Sequence, residues 1–253
     1  MKNAMLAGVT VVALAAAGPA IAADMPVKAP AAPPVVDLWS GFYVGANAGY
    51  SWGNWGNNAI NGNFPPAPNF STVATVNVKG WVGGGQVGWN KLYGSWLVGL
   101  EADLQATGQK ADLNDSATFV IGATITTISE LNRWKLPWFA TARGRVGAVV
   151  ADNWLLYATG GVAVARAYYS HTSSATVGAA TATLVFDEGT TRVGPVLGAG
   201  IEKAIDAHWR VKAEYLYIDL GSHTFISGSG FDNTIKMRDN IVRVGLNYRF
   251  LPN

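Results

Sequence analysis

Large apolar side chains alternate with small or polar ones along most of the chain, which is the period of a β-strand with two different faces. In the first such segment, one face is apolar and consists of Phe42, Val44, Ala46, Ala48, Tyr50 and Trp52. The opposite face consists of Tyr43, Gly45, Asn47, Gly49 and Ser51. The same alternation recurs along the chain and predicts eight strands, over residues 42–52, 76–90, 96–106, 134–149, 154–169, 192–204, 209–220 and 235–250.

The connections between these strands alternate between short and long. Three are short and contain turn-forming residues: Asn90 to Ser95, Ala151 to Asn153, and Ile205 to His208. The four others are predicted to be long loops, over residues 53–75, 107–133, 170–191 and 221–234. A β-sandwich in water has no reason to sort its loops in this way, whereas a bacterial membrane barrel has short turns on one side and long loops on the other. The pattern therefore predicts an all-β fold, an eight-stranded antiparallel transmembrane β-barrel with up-and-down topology.

Composition supports a surface that faces lipid. The chain is 49% hydrophobic and only 13% charged, whereas a soluble domain usually has about 25% charged residues. No stretch of about 20 consecutive apolar residues follows the N-terminal region, which excludes membrane-spanning helices. Tryptophans cluster at strand ends, as in the aromatic girdles of membrane barrels. We assign Trp89, Trp96, Trp154 and Trp209 to the girdle beside the short turns, and Trp52, Trp81 and Trp134 to the opposite one. The alternative is a sandwich with these side chains in its core.

Several classes of site are excluded by residue type. The chain has no cysteine, which rules out disulfide scaffolds, iron–sulfur centres and thiolate zinc sites. The formal net charge is +2 and no basic run stands out, so nucleic acid is not an expected partner. The acids predicted to lie in loops lack calcium-loop spacing, namely Asp112, Asp115, Asp232 and Asp239. We therefore expect neither a metal nor a cofactor.

The N-terminal region has the features of a secretory signal peptide. Lys2 is followed by an apolar run from Ala4 to Ala17, then by Gly18-Pro19 and by small residues up to Ala22. We expect residues 1–22 to be the signal peptide and residues 23–40 to be a leader rich in proline and alanine, extended up to Asp37. Residues 41–253 are then the barrel domain. A spanning anchor is the alternative, but the apolar run is short for one.

Charged residues within the predicted strands fall mainly on the face opposite the bulky apolar ones. They are Glu101, Asp103, Arg143, Arg145, Glu202, Lys212, Glu214, Arg243 and Arg249. Lipid exposure costs about 2–4 kcal/mol for an arginine or lysine at the bilayer midplane, so these side chains are expected to point inward. An eight-stranded barrel has room inside only for side chains. We therefore predict a lumen filled by ion pairs among Glu101, Arg143, Arg145, Glu202, Glu214 and Arg243. A narrow ion path through these groups is the alternative.

The last strand ends in a specific pattern. Residues 243–250 fit polar-x-Gly-x-x-aromatic-x-aromatic, with Arg243, Gly245, Tyr248 and Phe250 at the defined positions. Together with Gly41-Phe42-Tyr43-Val44-Gly45 and Glu214-Tyr215-Leu216-Tyr217, it resembles the small outer-membrane β-barrel proteins of alphaproteobacteria, a family that includes major surface antigens and opacity-like porins. Family members usually stop at the final phenylalanine, whereas here Leu251-Pro252-Asn253 follow it. We expect the four pattern residues to form the assembly signal.

The resemblance implies a protein of the cell outer membrane with a structural and surface-presenting role and no enzymatic activity. Expected partners are outer-membrane lipid, lipopolysaccharide, the barrel-assembly machinery and periplasmic chaperones, while a ligand of the external loops stays open. A small-solute channel is one alternative. Some relatives bind haem, and His171 with Tyr168 and Tyr169, or His223, are candidates for that role. The least favoured alternative is a lipid A hydrolase, because His171-Thr172-Ser173 resembles a base–nucleophile pair without an identifiable carboxylate.

Overall fold

The computed structural model describes residues 37–61, 74–121, 124–151, 153–227 and 231–250. They form eight strands: β1 (Gly41–Asn61), β2 (Ala74–Tyr93), β3 (Trp96–Ile121), β4 (Thr124–Ala151), β5 (Trp154–Val177), β6 (Ala180–Ala204), β7 (Trp209–Ser227) and β8 (Phe231–Arg249). Each strand is antiparallel to the next, and β8 pairs with β1 to close the barrel. The predicted strand number and meander topology are confirmed. The predicted signal peptide, most of the leader, and Leu251-Pro252-Asn253 lie outside the described residues.

In the described part of the chain, no helix is long and apolar enough to cross a membrane.

The strands are longer than the sequence predicted. Residues of all four predicted long loops lie in strands, so the boundaries of those loops are wrong. The β3–β4 ladder continues to the pair Ile121 and Thr124, and the β5–β6 ladder continues to Val177 and Ala180. Both regions are rich in threonine and apolar β-formers and have no proline, which favours strand pairing. One register shift, between Ala106 and Gln109, lies at the start of the first region. Strands β1, β2, β7 and β8 likewise extend into the two other predicted loops. Residues 62–73 and 228–230 lie outside the described parts.

The outer wall is apolar, as the period-two pattern predicted. Phe42, Leu100 and Val193 are more than 60% exposed, which is unfavourable in water but suits contact with lipid. Trp52, Trp81, Trp89, Trp96 and Trp209 also face outward.

Trp134 is an exception, and its assignment to a girdle was wrong because its side chain is buried. The β4 strand has a register shift between Lys135 and Trp138, on either side of Pro137. Proline lacks the N–H that the ladder needs, and a bulge at this point exchanges the inward and outward faces of the strand. Trp138 therefore faces outward, while Trp134 and Leu136 point into the barrel.

The interior has three layers along the barrel axis. The half farther from the short turns contains a large apolar cluster around Trp55, Trp134 and Phe139. The middle layer is charged. The end with the short turns holds a smaller apolar cluster that includes Trp39, Leu97, Leu155, Tyr157 and Ala204.

The last four residues of the predicted leader are part of this barrel rather than a free linker. Trp39 is buried in the smaller apolar cluster, and Arg249 Nη1 donates to the carbonyl oxygens of Asp37 and Ser40, each at 2.8 Å. The Asp37 carboxylate accepts hydrogen bonds from the backbone N–H groups of Trp39 and Ser40. Burial by itself raises the pKa of Asp37, but the hydrogen bonds outweigh it and the pKa lies below its usual value. Burial of Trp39 is favourable because it removes apolar surface from water. The sequence pattern alone did not indicate this packing.

Candidate functional site

The charged layer in the middle of the lumen is the most distinctive feature of the described structure. It brings together four acids and four bases from five strands. They are Glu101 and Asp103 of β3, Arg143 and Arg145 of β4, Glu202 of β6, Lys212 and Glu214 of β7, and Arg243 of β8. Each residue is at most 5% exposed. Alternation puts residues i and i+2 on the same face, which explains why the layer is built from pairs such as Arg143 and Arg145.

Two arginines bridge the acids on one side of this layer. Arg143 donates to Asp103 Oδ2 at 2.8 Å and to Glu214 Oε1 at 3.1 Å, and it also contacts Glu101. Arg243 lies 3.0 Å from Asp103 Oδ2 and 2.7 Å from Glu214 Oε2. Asp103 and Glu214 therefore each contact both guanidinium groups, so neither carboxylate depends on a single arginine.

Glu101 is the hub of the other side. Lys212 Nζ donates to both of its carboxylate oxygens, at 2.8 and 2.9 Å, and the Tyr43 hydroxyl donates to Oε2 at 2.7 Å. Arg145 lies 3.5 Å from the same oxygen and continues to Glu202 at 2.6 Å. Its guanidinium also stacks over the Tyr157 ring at 4.1 Å, a cation–π contact. The eight acidic and basic side chains thus form one continuous network.

Amide side chains line the inner face of the barrel where β1, β2 and β8 meet. Gln86 donates to Asn247 Oδ1 at 2.8 Å, and Asn247 donates to Glu202 Oε1 at 3.1 Å. Asn47 donates to Gln86 Oε1 at 2.5 Å. This chain connects the charged layer to the seam that closes the barrel.

Inward-facing glycines make room for the large side chains of the layer. A Cβ added to Gly200 would lie 2.5 Å from the ring of Tyr157, and one added to Gly88 would collide with the ring of Tyr43. Gly88 and Gly200 therefore have a steric reason: the tyrosines that hydrogen-bond to Glu101 and Glu214 occupy the space that a Cβ would need. The middle of the lumen is packed, as expected for eight strands.

The six residues of the predicted network all lie in this layer and are linked by ion pairs. Lys212, Asp103 and Arg249 face inward as the alternation indicated, although Arg249 donates to carbonyl oxygens and not to a carboxylate. Arg210 was missed; it is fully buried and donates to the carbonyl oxygen of Leu38. It shares the parity of Lys212 and Glu214, so the alternation contained the signal.

Asp239 was assigned to a loop, and this assignment is wrong. It lies within β8 and is 3% exposed inside the barrel. Asp112, Asp115 and Asp232 also lie in strands and not in loops, because β3 and β8 extend further than predicted. Asp112 pairs with Arg133 at 2.8 Å on the surface. No group of three or more histidine and acidic residues that could hold a metal occurs among the described residues.

The predicted assembly-signal residues lie where the last strand meets the first. Tyr248 and Phe250 stack edge to face at 5.4 Å, and Trp209 packs against Tyr248 at 5.1 Å. The Phe250 N–H donates to the Phe42 carbonyl at 2.9 Å. Arg243 lies in the charged layer, and Gly245 pairs with Asn47. The signalling role of these residues stays a prediction.

The histidines of the long hairpins pair with acids. His171 Nε2 lies 3.1 Å from Glu130 Oε2, and the Ser173 hydroxyl donates to the other oxygen of Glu130 at 2.8 Å. Glu130 thus lies between the two residues of the His-x-Ser motif and accepts the hydrogen bond that a nucleophilic serine would donate to its base. His223 lies 3.4 Å from Glu188. Tyr169 stacks on His171 at 6.4 Å, whereas Tyr168 is on the outward face.

A closed meander of eight strands, with an apolar outer wall and a charged, filled interior, defines a transmembrane β-barrel of the outer-membrane type. The chain matches the model of the outer membrane protein beta-barrel domain over residues 9–250 and belongs to that family. The predicted family resemblance and the outer-membrane location are confirmed.

Named relatives agree with this assignment. The chain is 32% identical to the 31 kDa outer-membrane immunogenic protein of Brucella melitensis, over 99% of this chain and 100% of that protein. It is 27% identical to the 22 kDa outer membrane protein of Rhizobium leguminosarum, over 84% of this chain and 78% of that protein. Among solved structures, the outer membrane protein OprG of Pseudomonas aeruginosa aligns over 85% of this chain and 98% of its own, with 15% identity and a TM-score of 0.45.

Proposed function

We propose that the protein is a closed structural barrel that fixes surface-exposed β-hairpins in the outer membrane and does not conduct solutes. The carrying observation is the network of four acids and four bases across the lumen, in which ion pairs such as Lys212–Glu101 join strands on different sides of the barrel. An ion that passes through this layer has to break several buried ion pairs, each of which is costly to separate in a poorly solvated interior.

A role in surface presentation is supported by the hairpins that extend from the end opposite the short turns. The β3–β4 and β5–β6 ladders are continuous up to Ile121 and Val177, so the exposed ends are held by backbone hydrogen bonds. Side chains such as Leu184, which is 75% exposed, are displayed on this extension. Relatives named immunogenic outer-membrane proteins agree with such a role.

We propose no enzymatic activity. The Ser173 hydroxyl donates to Glu130 and not to His171, so the described geometry does not support a nucleophile activated by an adjacent base. The proposed partners are lipid and lipopolysaccharide around the apolar wall, and the barrel-assembly machinery and periplasmic chaperones before insertion. No nucleic acid or cofactor is part of the proposal.

Single-channel recording of the refolded mature protein in planar bilayers tests the closed lumen. We expect no discrete conductance steps from the unmutated protein. The double variant Glu101→Ser with Lys212→Ser removes one charge of each sign, keeps the layer neutral, and is expected to produce small steps. Insertion is verified for both proteins by the shift in gel mobility on boiling. Large, stable steps from the unmutated protein would overturn the proposal.

A further inference from the structure

Three lysines lie side by side on the lipid-facing wall. Lys79 of β2 is the direct cross-strand partner of Lys110 of β3, which is the partner of Lys135 of β4. All three side chains are exposed and point outward. Like charges directly opposite one another in a ladder destabilise a sheet, and two such pairs in succession suggest that an external anion compensates them.

The row lies just above the apolar band of the barrel. On β2, the outward positions between Lys91 and Lys79 hold Trp89, Val87 and Trp81 with glycines and no charge. The two lysines are twelve positions apart in the sequence, which at the rise and tilt of barrel strands corresponds to about 30 Å of height, slightly more than the apolar band of about 25 Å. On β3 and β4, Lys110 and Lys135 are likewise the first charged outward residues beyond the band. The row therefore lies at the level of lipid headgroups.

The exposed acid closest to the row on its own strands is already engaged. Asp112, two positions above Lys110, is paired with Arg133 at 2.8 Å. On the next strand, Arg166 adds a further base beside the row; it donates to the Thr191 hydroxyl and lies over the Tyr168 ring. The opposite side of the same rim differs, because Arg238 pairs with Asp219 at 3.0 Å. Among the described residues, no ion pair joins Lys79, Lys110 or Lys135 to an acid.

A shallow groove in the lipid-facing wall runs directly below the row. It is lined by Gly83, Leu104, Ala106 and Trp138, from the same three strands as the lysines. Trp81 lies across Gly108 between the groove and Lys110. An apolar depression beneath a cluster of bases suits a molecule with an anionic head and a hydrocarbon tail, since each part meets its preferred surroundings.

We propose that Lys79, Lys110 and Lys135, with Arg166 beside them, form a binding site for a phosphorylated glycolipid of the outer leaflet. The lysine ammonium groups donate to the phosphate oxygens, and one acyl chain lies in the groove between Leu104 and Trp138. This inference rests on the proposed orientation, in which the hairpin end faces the cell exterior, and it assigns one defined site to the lipopolysaccharide contact.

Native mass spectrometry of the refolded mature protein, titrated in neutral detergent with bisphosphorylated lipid A, tests the site. The variant Lys79→Gln with Lys110→Gln removes two charges of the row. The matched control, Lys91→Gln with Lys203→Gln, removes two exposed charges near the short turns. We expect Lys79→Gln with Lys110→Gln to weaken lipid A binding about tenfold or more, since one charged hydrogen bond contributes a free energy of that size. The control variant is expected to bind lipid A like the unmutated protein. Dephosphorylated lipid A is expected to bind about as weakly to the unmutated protein as lipid A does to the row variant.

Three results would overturn the site: equal binding by the row variant and the unmutated protein, an equal loss in both double variants, or equal binding of dephosphorylated lipid A. Millimolar inorganic phosphate is expected not to displace the lipid; displacement would show that the row takes free phosphate and that the groove plays no part. The same preparations are examined in planar bilayers. If no conductance steps occur and lipid A binding fails, this inference is wrong and the closed barrel is unaffected. Conductance steps from the unmutated protein would overturn the proposed function.

Discussion

Lys212 of β7 lies 2.8 and 2.9 Å from the two carboxylate oxygens of Glu101 of β3, although these strands do not pair with each other. The contact therefore crosses the lumen, and it is reinforced by Arg143 and Arg145 of β4. A barrel wall by itself needs only hydrogen bonds between neighbouring strands. The cross-lumen pair instead ties distant parts of the wall together, and the predictions for the interior depend on this arrangement.

Arg143→Leu is expected to destabilise the barrel by about 3–5 kcal/mol, because it leaves buried carboxylates without one of their partners. Arg143 contacts Glu101, Asp103 and Glu214, so no single neighbour can replace it. Urea unfolding in lipid vesicles, followed by tryptophan fluorescence, measures the change. The control Arg133→Leu breaks a pair whose side chains are both 41% exposed, and the expected loss there is below about 1 kcal/mol. Equal losses in the two variants would contradict the network.

Gly45→Ala is expected to cost about 1–3 kcal/mol through overpacking. A Cβ at this position would lie 2.5 Å from the backbone carbonyl oxygen of Leu246, on the seam that closes the barrel. Gly85→Ala is the matched control on the neighbouring strand, since its Cβ would lie 3.6 Å from the nearest atom, the Gly45 carbonyl oxygen. The same unfolding assay compares the two. A Gly45→Ala protein as stable as the Gly85→Ala protein would show that the seam is loosely packed.

An epitope inserted after Gly178 is expected to be accessible to antibody on intact cells, whereas the same epitope after Gly94 is not. Both glycines have positive φ angles, of 59° and 62°, and lie in turns at opposite ends of the barrel. Antibody binding to whole and permeabilised cells makes the comparison. Labelling of the Gly94 insertion alone on intact cells would reverse the proposed orientation, and with it the level assigned to the lysine row.

Phe250→Ala is expected to leave unassembled protein in the periplasm, because the outward aromatic pair of Tyr248 and Phe250 is lost from the last strand. Deletion of Leu251-Pro252-Asn253 is expected to leave surface levels unchanged or slightly raised, since Pro252 lacks the N–H needed to extend the ladder. Outer-membrane abundance at equal expression tests both variants. If the deletion abolishes assembly and Phe250→Ala does not, the assembly signal has been placed on the wrong residues.

The sequence by itself determined the strand number, the meander and the direction in which most side chains point. These properties follow from a period of two residues and from the cost of exposing charge to lipid, both of which act locally along one strand. Glu101 and Arg143 were placed in the lumen on this basis. The short turn from Ile205 to His208 was also found, because it follows from local turn chemistry.

The tertiary structure decided what depends on register between strands. The bulge at Pro137 moved Trp134 to the inner face, and only the pairing of three strands placed Lys79, Lys110 and Lys135 side by side. The sequence also did not indicate which acid pairs with which base, since partners such as Glu101 and Lys212 are 111 residues apart. Periodicity fixes the face on which a side chain lies but not its height along the barrel, and height is set by the stagger of hydrogen-bonded strands around the closed wall.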